Sequence, residues 1–149
     1  MANADNANGF TPVGPNPRIN SYQAGGTFAK GDMVFLASGK VVVYDHSNAV
    51  VAGVAAEAGT NNAFVAIYDD PSEIFSGQCS GSHSQGANDG VLCDTEGGTG
   101  AMEVNENATT NNTIKILQQH LIPGSEETGT NARVKFKIIE HVQASSHTG

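Results

Sequence analysis

Between Met33 and Tyr44 the chain reads Met33-Val34-Phe35-Leu36-Ala37, then Ser38-Gly39, then Lys40-Val41-Val42-Val43-Tyr44. Two short runs rich in β-branched and aromatic side chains, separated by two residues of which one is glycine, spell a tight hairpin in which Gly39 is free to take a positive φ. The same grammar recurs along the chain. Val50-Val51-Ala52-Gly53-Val54-Ala55 and Ala63-Phe64-Val65-Ala66-Ile67-Tyr68 flank the turn residues Gly59-Thr60-Asn61-Asn62, and Gly53 marks a bulge or a close backbone approach. Thr113 to Leu117 and Ala132 to Glu140 supply two further strands, joined across Pro123 to Gly129. No run sustains a capped 3.6-residue apolar period, and Glu103 to Thr110 has room for only one short helical turn. The pattern predicts an all-β chain of about seven strands, built as a small β-barrel or β-sandwich.

A chain of 149 residues supports one core. Aromatics make up only 6% and Trp is absent, so that core is assembled from Val, Ile, Ala, Leu and six Phe, which suits thin β layers. Residues 1–20 contain five Asn and three Pro with scattered apolar groups, and read as an extended N-terminal arm. At roughly 3.1 Å per residue it could span on the order of 60 Å. Residues 21–143 form the β domain, and 144–149 a small, polar, flexible tail. After Asp70-Pro71 the composition shifts, with seven Gly between Ser76 and Gly100. This predicts a long loop over about 76–112, with at most a short strand at Val91-Leu92-Cys93, and with Phe75 pinning its base to the core.

Fifteen acidic against seven basic residues give a net charge of −8, which repels nucleic-acid phosphates. Arg133, Lys135 and Lys137 alternate along one strand and read as a solvated face opposite Val134, Phe136 and Ile138. No stretch approaches the ~18 apolar residues of a membrane helix, and the order of a secretion signal is missing from the N-terminus, so a cytoplasmic site of synthesis is expected, with no membrane partner. Two cysteines, Cys79 and Cys93, are too few for a disulfide framework, and a bridge between them would be an accessory.

Candidate chemistry is sparse. Gly26 to Gly31 has the glycine spacing of a phosphate loop, but Asp32 stands where the lysine must be. Cys79, His83, Cys93 and Asp94 offer borderline and soft ligands without a Cys-x-x-Cys or His-x-x-x-His frame, so no metal is assigned. His46, His120, His141 and His147 are dispersed and read as satisfied surface groups. Asp69-Asp70 and Glu126-Glu127 read as solvated turn acids, outside any calcium-loop pattern. Asn107-Ala108-Thr109 and Asn111-Asn112-Thr113 match the glycosylation pattern as an Asn- and Thr-rich chain does by chance. No nucleophile motif is present. The expectation is a non-enzymatic protein without catalytic residues or cofactor.

The order of these segments resembles a known family. Tyr22-Gln23-Ala24-Gly25 with Lys30-Gly31-Asp32, then Gly53-Val54-Ala55, then Asp70-Pro71-Ser72-Glu73-Ile74-Phe75, and the closing Leu117 to Pro123 and Gly129 to His141 are similar to the small capsid decoration (cement) proteins of tailed bacteriophages. Where family members often carry a Pro-x-Asn step and an Ile-Asn-Glu-His ending, this chain has Pro123-Gly124-Ser125 and Ile139 before Glu140-His141. The resemblance implies a β-tulip-like domain on the outer capsid surface of the virion, bridging neighbouring major capsid proteins as a homotrimer at threefold and quasi-threefold positions. The capsid or subunit contact is expected on Phe10, Pro12, Val13, Pro15, Pro17, Ile19, Tyr22 and Phe75, the Asn- and Pro-rich arm lying over a neighbouring subunit and adding a strand to an open sheet edge. The alternative is a virion-surface module binding a receptor or carbohydrate, for which only Tyr22, Tyr44 and Tyr68 could supply the customary rings.

Overall fold

The computed structural model describes residues 5, 7–47, 50–84, 88–117 and 129–142. Among them the chain forms thirteen strands, numbered in chain order, and no helix. One sheet has six strands in the order β1 (Thr11–Pro12), β7 (Ile74–Gln78), β13 (Arg133–Ile138), β11 (Ile114–Ile116), β9 (Leu92–Glu96) and β10 (Glu103–Asn105). A second has five, in the order β2 (Ile19–Gln23), β6 (Phe64–Tyr68), β5 (Val51–Ala55), β3 (Met33–Ala37) and β4 (Lys40–Val43). The short β8 (Ser82–His83) and β12 (Gly129–Thr130) pair with each other. All neighbours within the sheets are antiparallel.

The β3–β4 hairpin closes with Ala37 opposite Lys40, and Ser38 (φ 53°) joins Gly39 (φ 82°) in the left-handed region. Two successive positive φ values make the type I′ turn whose twist matches that of the strands. Between β3 and β5 the register shifts, Val34 facing Gly53 and Phe35 facing Val51. Gly53 is required there, because a Cβ would lie 2.1 Å from the Tyr68 carbonyl oxygen of the next strand. The bulge bends the five-stranded sheet. It curls until Ala24, just past β2, bridges Val41 on β4, and the Gly25 N–H donates to the Val41 carbonyl at 2.7 Å.

The curl has an inner face and an outer face, and both are filled. Ala24, Phe28, Val34, Val41, Val65 and Ile67 pack inside it. On its other face Met33, Tyr44, Val51 and Val54 meet the six-stranded sheet, which contributes Phe75, Ile116, Val134 and Phe136. Among the described residues the architecture is therefore a β-sandwich-like all-β fold in which neither sheet closes into a barrel. On β13 the alternation reads as expected: Val134, Phe136 and Ile138 are buried, while Arg133, Lys135 and Lys137 are half-buried on the other face. Beyond β13 the chain changes sheets, with the Val51 N–H donating to the Glu140 carbonyl at 2.7 Å and the Val142 N–H to the Val51 carbonyl at 2.8 Å.

Three expectations differ from this structure. The described part of residues 1–20 is not a free arm: β1 pairs with β7, β2 pairs with β6, and Phe10 is buried between the sheets. Its few apolar groups suffice because they enter space prepared by the rest of the chain. The Phe10 ring lies edge-on to Phe136 at 4.9 Å, over Gly77, where a Cβ would come within 2.5 Å of that ring. Nor is the glycine-rich stretch after Phe75 a long loop, since it holds the rest of β7, β8, β9 and the approach to β10. Several of its glycines mark close packing and turns between short strands. Glu103 to Asn105 is strand β10 and the residues after it turn without forming helix. The tail from 144 lies outside the described residues.

Burying a Phe side chain contributes about 1.5–3 kcal/mol by transfer, and truncation adds the cost of the cavity. Phe10→Ala is expected to lower unfolding stability by about 3–5 kcal/mol in denaturant titration. An arm that does not contribute to the core would leave stability unchanged.

Candidate functional site

The eight residues expected at a contact surface divide into two groups. Phe10 and Phe75 are core residues: Phe75 is 1% exposed, stacked on Phe136 with centroids 6.0 Å apart, and both belong to the cluster between the sheets. They cannot touch a partner. Phe75 does anchor the start of the glycine-rich stretch, as its position after Asp-Pro implied. Pro12 is half-buried opposite Phe75 in the β1–β7 pair, Pro17 is half-buried, and Tyr22 packs partly against the core of the curled sheet. Val13 and Ile19 are 44% and 49% exposed, and Pro15 is exposed beside them in sequence.

Sequence reasoning missed two further exposed apolar groups. Val13 donates its N–H to the Ile74 carbonyl at 2.8 Å, and Ile74 is itself exposed. Phe64, at the far end of the β2–β6 pair from Ile19, is 72% exposed. Alternation along 64–68 would have called for it, since Val65 and Ile67 face the core and Phe64 must then face the other way. β2 is an edge strand of its sheet, with the chain just past it meeting β4 at the Ala24–Val41 bridge. Val13 and Ile19 thus stand exposed on the N-terminal segment, Ile74 beside Val13 on β7, and Phe64 on β6 next to β2.

What fixes that edge is a buried carboxylate. Asp69, 1% exposed, accepts from the Asn20 amide at 2.9 and 3.0 Å, from the Tyr22 hydroxyl at 2.7 Å and from the Arg18 Nε at 3.1 Å. The Arg18 guanidinium also donates to the Asp69 carbonyl at 2.8 Å. Asp69 is thus no solvated turn acid. Its neighbour Asp70 is partly exposed and caps the turn, accepting the Ser72 N–H at 2.9 Å. The carboxylate clamps residues 18–22 to the end of β6, with charge-assisted bonds that are stronger than neutral ones.

The remaining chemical candidates are mostly absorbed by structure. Asp32 accepts the N–H groups of Ala29 and Gly100 at 2.9 and 2.8 Å, so the glycine spacing before it belongs to a turn entering β3. His46 bonds the Thr95 hydroxyl at 2.8 Å and the Gly97 carbonyl at 2.7 Å. Asp94 accepts the N–H of Asn112 at 2.7 Å and of Asn111 at 3.0 Å, holding the turn before β11. His120, His147, Glu126 and Glu127 lie outside the described residues. No helix among the described residues is long and apolar enough to cross a membrane.

Cys79 and Cys93 are both free and buried. Burial pushes both thiols up, Cys93 to about 12, and the Glu106 carboxylate adds to the effect on each; Cys79 donates its S–H to Glu106 Oε1 at 2.7 Å. Thiols held protonated are poor nucleophiles. The same Glu106 oxygen lies 2.8 Å from His83 Nδ1. Of the four ligands weighed from sequence, Cys79 and His83 therefore converge, whereas Asp94 is committed to backbone amides. Glu106 is the partner missed, since only the Cys79–Val104 bridge and the β9–β10 pair bring it there.

His141 is 1% exposed, and burial lowers its pKa from 6.5 to about 4, with Asp69 and Asp70 opposing and Arg18 reinforcing the shift. The unfolded chain takes up a proton near pH 6.5 that the fold refuses until about pH 4. Stability from this group is therefore full above pH 6.5 and falls as the pH drops through that window. No protein-family model and no curated protein sequence matches the chain.

Two outcomes follow from these buried groups. Asp69→Ala leaves the Tyr22 and Asn20 donors without their acceptor and is expected to cost about 2–3 kcal/mol in chemical denaturation, with β2 losing amide protection first. Acidification from pH 7.5 to 5 is expected to remove about 2 kcal/mol through His141, and His141→Gln to flatten that dependence in a pH series of melting curves.

Proposed function

We propose that this chain is a structural protein that decorates the outer surface of a tailed-phage capsid and bridges neighbouring major capsid proteins. In this reading it acts without catalysis, cofactor or nucleic acid. The observation that carries the proposal is a set of exposed apolar side chains, Val13 and Ile19 on the N-terminal segment, Ile74 beside Val13, and Phe64 on β6 next to the edge strand β2. An acidic domain whose interior is filled gains nothing for its own stability from large apolar groups in water, whereas a partner covering them does. An edge strand also offers unpaired backbone groups to which a neighbouring chain can add a strand.

The order of the sequence segments supports the family, and through it the homotrimer at threefold and quasi-threefold positions. Three copies gain from effective concentration, so a modest contact per subunit holds a shell firmly. The net charge of −8 suits an outer position away from packaged DNA. A sugar-binding role finds less support, because Tyr44 is buried, Tyr22 and Tyr68 are partly buried, and Phe64 is the single ring standing in solvent among the described residues.

Cosedimentation with expanded, DNA-free capsids of the phage that carries the protein tests the proposal. Wild type is expected to saturate the shells, and Ile19→Asp to weaken binding about tenfold or more while the domain stays folded. Absence of capsid binding by wild type, together with selective signals on a glycan array, would replace this reading with the carbohydrate one.

A further inference from the structure

We propose that Cys79 Sγ, His83 Nδ1 and a carboxylate oxygen of Glu106 form a Zn²⁺-binding site that staples the chain just past β7, strand β8 and the turn after β10. This site is independent of the capsid contact. The three ligand atoms lie within 4.8 Å of one another, and the residues are 0%, 1% and 8% exposed. A thiolate, an imidazole and a carboxylate form a ligand set that Zn²⁺ takes, at about 2.3, 2.0 and 2.1 Å, which places ligand atoms roughly 3.5 Å apart in a tetrahedron.

Each ligand stands on separately anchored backbone. The Cys79 N–H donates to the Ala132 carbonyl at 2.8 Å and the Ser80 N–H to the Val104 carbonyl at 2.8 Å. His83 lies on β8 opposite Gly129, and Glu106 follows β10 in a turn closed by the Ala108 N–H on the Asn105 carbonyl. The site is thus pre-positioned by the fold rather than gathered from a loose segment.

A second observation points to a missing ligand. Glu106 Oε2 and His83 Nε2 are buried without any hydrogen-bond partner, a costly state for polar atoms in a protein interior. A cation resolves the first by engaging the carboxylate. For the second, ligation through Nδ1 places the ring proton on Nε2, which faces Asp89 Oδ1 at 3.7 Å. That is the outer carboxylate–imidazole–metal order that orients ligating histidines. On binding, the Zn–S bond forms as the Cys79 thiol releases its proton to solvent, and the Cys79–Glu106 and His83–Glu106 hydrogen bonds give way to metal bonds; nothing is oxidised or reduced.

Chelator-treated full-length protein titrated with Co²⁺, a spectroscopic stand-in for Zn²⁺, provides the test. One ion per chain is expected, with a thiolate-to-cobalt charge-transfer band and intense tetrahedral visible bands that Zn²⁺ then abolishes. Cys79→Ser should lose the charge-transfer band, Cys93→Ser should keep it, and Glu106→Gln, nearly isosteric and so expected to fold, should bind Co²⁺ more than ~10-fold more weakly. Absence of a thiolate band in wild type, its loss in Cys93→Ser, or unchanged affinity in Glu106→Gln would overturn the site.

Discussion

The Phe10 ring can enter the core only because residue 77 has no side chain, and much of the molecule depends on that seat. Phe10 bears on Phe136, which in turn stacks on Phe75, so one residue from the N-terminal segment completes an aromatic column between the sheets. The backbone around it joins both layers. The Phe10 N–H donates to the Gly31 carbonyl just before β3 of the curled sheet, and the Val13 N–H to the Ile74 carbonyl on the other sheet, each at 2.8 Å. Residues 10–13 are therefore a stitch across the sandwich, and the direction in which Val13 and Ile19 face is set by it.

Carboxylates do the work that large apolar side chains do elsewhere. With six Phe and no Trp the core is modest, and the loops above it are tied by buried acids: Asp32 to two backbone amides, Asp94 to two more, and Asp69 to three side chains of the incoming segment. Part of the acidic excess is thus internal wiring. Each such group must be fully bonded to repay its desolvation, as Asp32 and Asp69 show. Glu106 and His83 depart from that rule, and for this reason their surroundings read as a ligand site.

The β alphabet was legible in the sequence wherever a strand carries its own pattern. The β3–β4 hairpin, the bulge at Gly53, β6 and the alternation of β13 follow from side-chain period and turn residues alone. Where packing is supplied by distant residues, local pattern misled: Thr11–Pro12 is a strand because Phe10 has Gly77 beneath it, and Leu92–Glu96 buries Asp94 and Thr95 rather than an apolar row. Glycine near residue 77 looked like looseness and is close approach. Asp69 looked solvated because adjacent acids usually are, and its partners lie about fifty residues upstream. Of the contact residues, the exposed ones were named from composition of the segment, and the two that prove to be core are both phenylalanines, whose burial is the ordinary outcome.

A segment held on both sheets and clamped by Asp69 presents its exposed apolar groups as a rigid surface, which lowers the ordering cost of any partner that covers them. That rigidity is the central claim, and residue-resolved amide hydrogen exchange tests it most directly. The Phe10 and Val13 amides should exchange only on global opening, at the rate of the β13 amides beside Phe136. Free exchange at both positions while β13 stays protected would show the segment to be a loose arm and contradict the account.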